Sequence, residues 1–72
     1  MNPEETFIRF KLKILDTMMT YPELRLGQAA YTTLAFLRSD LADQVVATSL
    51  DPFYLNERMP AFLDFVEEQW TK

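Results

Sequence analysis

The stretch between Pro3 and Pro22 is the feature that most constrains the fold. Asn2 can cap a helix, Pro3 fits the first helical turn, and two glutamates follow near the positive end of the helix dipole. Pro22 cannot continue a helix and disfavours helical geometry in the residue before it. The sequence therefore predicts a helix over residues 3–21.

The apolar residues of this first helix fall on two lines, about a quarter turn apart at roughly 100° per residue. The first seam comprises Phe7, Phe10, Ile14 and Met18, and the second comprises Ile8, Leu12, Leu15 and Met19. Two apolar seams on one helix predict contacts with two neighbouring elements. The opposite, polar side carries Arg9, Lys13, Asp16 and Thr20.

Three further helices follow from apolar residues at helical spacing. They are predicted over residues 26–37, 40–48 and 60–70, with Ser39 or Asp40 as the cap of the shorter middle one and Pro60 in the first turn of the last. The chain has no internal repeat or low-complexity linker. The predicted fold is therefore all-α, a compact bundle of four helices in a single domain over residues 1–72.

Chain length limits how such a domain can be stabilised. A single core of about this size rarely supplies more than roughly 3 to 5 kcal/mol. The 72 residues include no cysteine and no histidine, so disulfides are excluded and a structural zinc site lacks its usual ligands. Because 49% of the residues are apolar, we expect burial of apolar surface between copies, as a homo-oligomer, to reinforce the fold.

Charge and hydropathy argue against several partners. A net charge of −4 opposes binding to nucleic acid, which depends on Lys and Arg displacing counterions. No stretch reaches the ~20 consecutive apolar residues that span a bilayer, and the start is acidic where a secretion signal is basic. We therefore expect a cytoplasmic protein with no nucleic-acid or membrane partner.

The residue types that most often carry out catalysis, histidine and cysteine, are absent. Asp64, Glu67 and Glu68 could in principle hold Mg²⁺ or Ca²⁺, but a solvated helix face is the favoured interpretation. Gly27, the single glycine, cannot form a glycine-rich phosphate loop. We predict that the protein is not an enzyme and has no cofactor, metal or small-molecule substrate.

Lys11 lies between the two apolar seams, where a charge would face the interior. Its stem can cover apolar surface while the ammonium reaches water or a carboxylate. Alternatively, Lys11 marks the rim of an interface and pairs across it. Both interpretations remain open from the sequence.

The connector before the second helix carries three residues of interest. Arg25 can clamp the connector by reaching a carboxylate or the carbonyl end of the first helix, or it can bind a partner. Gly27 allows either close helix packing or an unusual backbone angle. Gln28 can cap the helix or bridge within the same network.

The turn before the last helix and the aromatic residues complete the candidate sites. Asp51 can accept backbone N–H bonds in a turn, Pro52 fixes its direction, and Phe53 is expected to plug the core. The candidates for an exposed aromatic patch at an interface are Tyr31, Phe36, Tyr54 and Trp70.

The pattern Pro22-x-x-Arg25-x-Gly27-Gln28, then Asp51-Pro52-Phe53-Tyr54, then Pro60-x-Phe62-Leu63 and a terminal Trp70 resembles a group of short uncharacterised bacterial and phage-encoded proteins. It covers roughly the last two thirds of the chain. That group has no assigned activity. The resemblance implies a small autonomous domain, with an origin in a phage or prophage as one possibility, and no catalytic site.

Three functions are compatible with these features. The leading hypothesis is a helical protein–protein interaction module that forms a homodimer. The alternative is a phage-type regulator or inhibitor of a host protein, which requires its acidic residues to converge on one face: Asp40, Asp43, Asp64, Glu67 and Glu68. A helix-turn-helix is the weakest, because residues 40–48 contain neither Arg nor Lys for reading DNA.

Overall fold

The structure, a computed structural model, describes residues 3–70, and the side chains from Thr6 onward. The described residues form four α-helices: α1 (Pro3–Thr20), α2 (Leu26–Leu37), α3 (Ser39–Val45) and α4 (Met59–Trp70). A single 3-10 turn, Asn56–Arg58, leads into α4. No strand occurs within residues 3–70. The predicted all-α bundle of four helices is confirmed.

The ends of α1 and α2 lie close to their predicted positions. The first helix ends one residue early, at Thr20, and the N–H of Tyr21 still donates to the carbonyl of Thr17 at 2.8 Å. The predicted Asn2 cap lies outside the described residues. The end of α1 just before Pro22 is as expected, because proline has no N–H for the helical hydrogen bond and its ring clashes with the preceding turn.

The predicted caps of α3 are wrong, because α2 runs into α3 with only Arg38 between them. The N–H of Arg38 donates to the carbonyl of Leu34 in α2 at 2.7 Å, and the carbonyl of Arg38 accepts hydrogen bonds from the N–H groups of the first turn of α3. No side-chain cap forms at this position. Instead, the Arg38 guanidinium binds both carboxylate oxygens of Asp40, at 3.0 and 2.9 Å, and this bond holds the pKa of Asp40 below its usual value.

The third helix also ends three residues earlier than predicted. Val46 has an extended backbone (φ −55°, ψ 133°), and Ala47 adopts a left-handed conformation with φ 61°. The Thr48 hydroxyl donates to the carbonyl of Val45 at 2.6 Å, an alternative to the helical backbone bond. These local bonds end the helix although the apolar spacing continues.

The core is built on the first seam of α1. Phe10 is fully buried, and its ring centroid lies 5.4 Å from that of Trp70 and 6.4 Å from that of Phe62. The other buried apolar residues come from all four helices and include Phe7, Ile14, Ala29, Ala30, Leu34, Leu41, Val45, Met59 and Val66. Helix α1 contacts both α2 and α4, as predicted. It does so through one seam and not through two.

A pair of threonines joins α1 to α2. The hydroxyls of Thr17 and Thr33 lie 2.9 Å apart, and each also lies within hydrogen-bonding distance of a carbonyl in its own helix. Because a hydroxyl has one proton, one threonine donates to the other while the second donates to the backbone. This half-buried polar contact, which the sequence did not predict, favours one register between the two helices.

Candidate interaction surface

The second seam of α1 is exposed to solvent. The exposed fractions are 51% for Ile8, 60% for Leu12, 56% for Leu15 and 82% for Met19. The first helix has the two predicted neighbours, but only its first seam contacts them, so the expectation that each seam serves one neighbour is wrong. The physical reason is that α2 and α4 both pack on the side of α1 that carries Phe7 and Phe10. We call these four exposed residues the α1 row.

An apolar groove runs along one edge of the α1 row. It is lined by Lys11, Ile14, Leu15, Leu26, Met59, Pro60 and Leu63, which we call the α4 groove. All of these except Lys11 are apolar, and they come from α1, the start of α2 and the start of α4. The row and the groove share Leu15, so together they form a continuous apolar surface.

Lys11 is exposed, and its ammonium lies 5.2 Å from the centroid of the Phe7 ring. The charge therefore lies at the edge of the α4 groove and not in the interior, while the ring face attracts the cation. This geometry supports the interpretation in which the stem covers apolar surface. Its role at the rim of an interface stays a prediction.

The other edge of the α1 row is polar. Arg9 and Asp16 are exposed there, and with Leu12, Leu37 and others they line a second hollow, away from the α4 groove. The Asp16 carboxylate lies 3.5 Å from the ammonium of Lys13, an exposed pair that contributes little to stability. The α1 row thus has an apolar margin on one side and a charged margin on the other.

Trp70 is not part of an exposed patch, and that prediction is wrong. It is only 9% exposed, because its place four residues after Val66 puts its ring on the buried face of α4. The ring packs against Phe7 and Phe10. The Arg38 guanidinium covers it at 5.2 Å from the ring centroid.

The remaining aromatic candidates lie at two separate places. Phe36 is 84% exposed and lines a hollow between α1 and α2, together with Tyr21. Tyr31 and Tyr54 both contact the ring of Phe53, at centroid distances of 5.9 and 4.9 Å. Phe53 is half-buried between them and does not plug the core, because the buried Pro52 occupies the inner position of the turn. The structure does not bring the aromatic candidates into one patch.

The connector and the turn, which are far apart in sequence, meet at Gly27. A Cβ built on Gly27 would overlap the carbonyl oxygen of Pro52 and lie 2.8 Å from its carbonyl carbon. The backbone of Gly27 is not left-handed. Glycine is therefore required for close packing and not for its backbone angle. The Asn56 side chain accepts the Gly27 N–H at 2.9 Å, a helix cap that the sequence did not predict.

Gln28 caps α2, which is one of the two roles that the sequence predicted for this residue. Its side-chain oxygen accepts the N–H of Arg25 at 3.0 Å.

The predicted Arg25 clamp is wrong, because within the described residues the exposed guanidinium pairs with no carboxylate and with no carbonyl of α1. Arg58 performs the clamping instead, donating to the carbonyls of Thr48 at 3.1 Å and Asp51 at 3.4 Å. Nothing in the sequence around Arg58 predicted that it would hold the turn in this way.

Asp51 organises the turn as predicted. It is 8% exposed, and its two carboxylate oxygens accept the N–H groups of Ala47 and Phe53, both at 2.9 Å. The bond to Ala47 stabilises the left-handed conformation of that residue, which is unfavourable for a side chain with a Cβ. The buried carboxylate is thus a structural group.

Tyr31 lies near this carboxylate. Burial raises the pKa of its phenol above the ordinary value of 10.0, and the negative charges of Asp51 and Asp43 raise it further. The folded state therefore disfavours the phenolate.

We expect Tyr31→Phe to reduce the loss of stability at alkaline pH. Because the folded pKa is raised, the stabilising effect of the neutral phenol is complete below pH 10.0 and is lost as the pH rises through the folded pKa. Denaturant unfolding at neutral and alkaline pH measures this difference. The control is Tyr54→Phe, at a position that is 79% exposed. Equal alkaline sensitivity of Tyr31→Phe and the natural chain would contradict the assignment.

The described residues contain no group of three or more metal-ligating side chains, and none of their helices is long and apolar enough to cross a membrane. No protein-family model, curated protein or solved structure matches the chain. Over residues 3–70 the fold and the surface define a class: a four-helix domain whose first helix exposes an apolar face.

Proposed function

We propose that this protein is a small helical protein-interaction module, not an enzyme, and that it self-associates through the α1 row. The observation that carries the proposal is the exposure of Ile8, Leu12, Leu15 and Met19, each at least 51% exposed, on one face of one helix. Adjoining apolar residues of this size on a surface mark interaction sites.

The spacing of the α1 row supports a helical partner. Successive members are four, three and four residues apart, the alternation with which a helix buries a seam against a second helix. Each leucine fully removed from water contributes about 1.5 to 3 kcal/mol. Association would therefore supply stability on the scale of the roughly 3 to 5 kcal/mol that a core of this size provides.

The test is the association of the double variant Leu12→Ser/Leu15→Ser, measured by sedimentation equilibrium. We expect the natural chain to be dimeric at micromolar concentration. The double variant should weaken association at least about 100-fold, because two leucines are removed from each copy. Circular dichroism should show that the helices remain, since both residues are exposed in the monomer.

Phe36→Ser and Tyr54→Ser are the matched controls, because these residues are 84% and 79% exposed but lie away from the α1 row. Both should leave the dimer intact. A natural chain that is strictly monomeric at high micromolar concentration would contradict the proposal. Dissociation caused by either control, with the double variant still dimeric, would also contradict it.

A further inference from the structure

Resting on the proposed self-association, we infer that the partner at the α1 row is a second copy whose α1 runs antiparallel to the first. The two rows then interlock around a two-fold axis between Leu12 and Leu15. Ile8 of one copy lies opposite Met19 of the other, and Leu12 lies opposite Leu15. The two α4 grooves lie on the same side of the interface.

The spacing of the row permits this arrangement. The order four, three, four is the same when the row is read backwards, so an antiparallel copy presents the same positions in register. A two-fold interface requires such self-complementarity, because each contact occurs twice. Every apolar residue of the row then finds an apolar residue opposite it.

The two margins of the row determine the orientation. The α4 groove follows the edge that carries Lys11, whereas Arg9 and Asp16 follow the other edge. A parallel pair would place the apolar groove of one copy against the charged edge of the other. An antiparallel pair places groove beside groove and charged edge beside charged edge, so Arg9 and Asp16 keep their access to water.

The charged edge is complementary to itself in the antiparallel arrangement. Arg9 and Asp16 lie on either side of the centre of the α1 row, at nearly equal distances from it: the point halfway between them is within about one residue of that centre. Arg9 of each copy therefore lies near Asp16 of the other, which gives two symmetric ion pairs. Asp16 also meets Lys13 of its own chain, at 3.5 Å. Such exposed pairs select the orientation more than they add affinity.

The size of the interface requires the α4 groove as well as the row. A stable interface buries roughly 800 Å² on each partner, a large share of the 4745 Å² accessible surface of this chain. Four partly exposed side chains cannot supply that area. The groove residues Leu26, Pro60 and Leu63 extend the apolar surface beside the row, and only the antiparallel pair brings both grooves together.

Disulfide cross-linking tests the orientation, and the absence of natural cysteine makes the result unambiguous. We expect a mixture of Ile8→Cys and Met19→Cys chains to form cross-linked heterodimers, identified by intact mass. Each variant alone should stay uncross-linked, because equivalent positions lie about 16 Å apart along the antiparallel pair, at ~1.5 Å per residue. A disulfide tolerates no more than about 7 Å between Cα atoms.

Cross-linking of Ile8→Cys with itself would indicate a parallel pair and overturn the inference. Sedimentation of the reduced mixture separates this failure from failure of the proposed function. A dimer with the wrong cross-linking pattern overturns only the antiparallel geometry. A monomer overturns both.

A charge exchange provides a second, independent readout. Arg9→Asp should weaken the dimer about tenfold by placing carboxylates opposite each other, and Arg9→Asp/Asp16→Arg should restore it. In a parallel pair Arg9 would lie nearest Lys11 of the other copy, about 3 Å away along the helix axis. Arg9→Asp would then strengthen association, and that result would overturn the antiparallel geometry. Asp43→Arg, an exposed charge reversal on α3, is the control and should have no effect.

Discussion

Gly27→Ala is expected to lower the free energy of unfolding by about 1 to 3 kcal/mol, although alanine is the better helix former. The gain in helix propensity is about 1 kcal/mol. Against it stands the overlap of the new methyl with the Pro52 carbonyl, a backbone group that cannot rotate away. Forcing extra atoms into a packed site costs about 1 to 3 kcal/mol, and displacement of the Asn56 cap adds about 1 kcal/mol.

The measurement is denaturant unfolding in the Leu12→Ser/Leu15→Ser background, so that association does not contribute. Asn56→Ala is the matched variant, since it removes the cap without adding a methyl. It should cost about 1 kcal/mol, less than Gly27→Ala. If Gly27→Ala were as stable as its background, the close approach of α2 to the turn would be wrong.

Phe10→Ala should leave the chain largely unfolded at room temperature. Removing a fully buried phenylalanine costs about 3 to 5 kcal/mol, which is as much as a core of this size supplies. The ring is 0% exposed and touches Phe7, Phe62 and Trp70, so its loss opens a cavity between α1 and α4. The helical signal in circular dichroism measures the effect.

Ile8→Ala is the control on the same helix. Both Phe10→Ala and Ile8→Ala are made in the Leu12→Ser/Leu15→Ser background, so that association does not contribute. The side chain of Ile8 is 51% exposed, so we expect a change in stability within about 0.5 kcal/mol. Equal destabilisation by the two variants would mean that the α1 row is buried within the chain, contrary to the structure.

The helices and the capping roles of Gln28 and Asp51 could be predicted from the sequence, because the responsible interactions lie within a few residues of each other. Pro22 ends α1 wherever the rest of the chain packs. The amide of Gln28 reaches the N–H of Arg25 within one helical turn, and Asp51 reaches that of Phe53 within a tight turn. The early end of α3 could not be predicted, because apolar spacing continues past the left-handed Ala47.

The candidate surface could be predicted only in part. The sequence identified Ile8, Leu12, Leu15 and Met19 as one face of a helix, since about 100° per residue places them together. It could not show that this face lacks a neighbour, because the seam that begins at Phe7 has the same helical periodicity. The exposure of the α1 row emerged only when α2 and α4 both packed on the other seam.

The sequence by itself determined four helices and which residues share each face, because periodicity, proline and short-range hydrogen bonds are properties of local segments. Only the tertiary structure decided which faces are covered. It buried Trp70, placed Gly27 against Pro52 and positioned Arg58 as the clamp of the turn. These contacts join segments distant along the chain, and their partners depend on how the helices pack together.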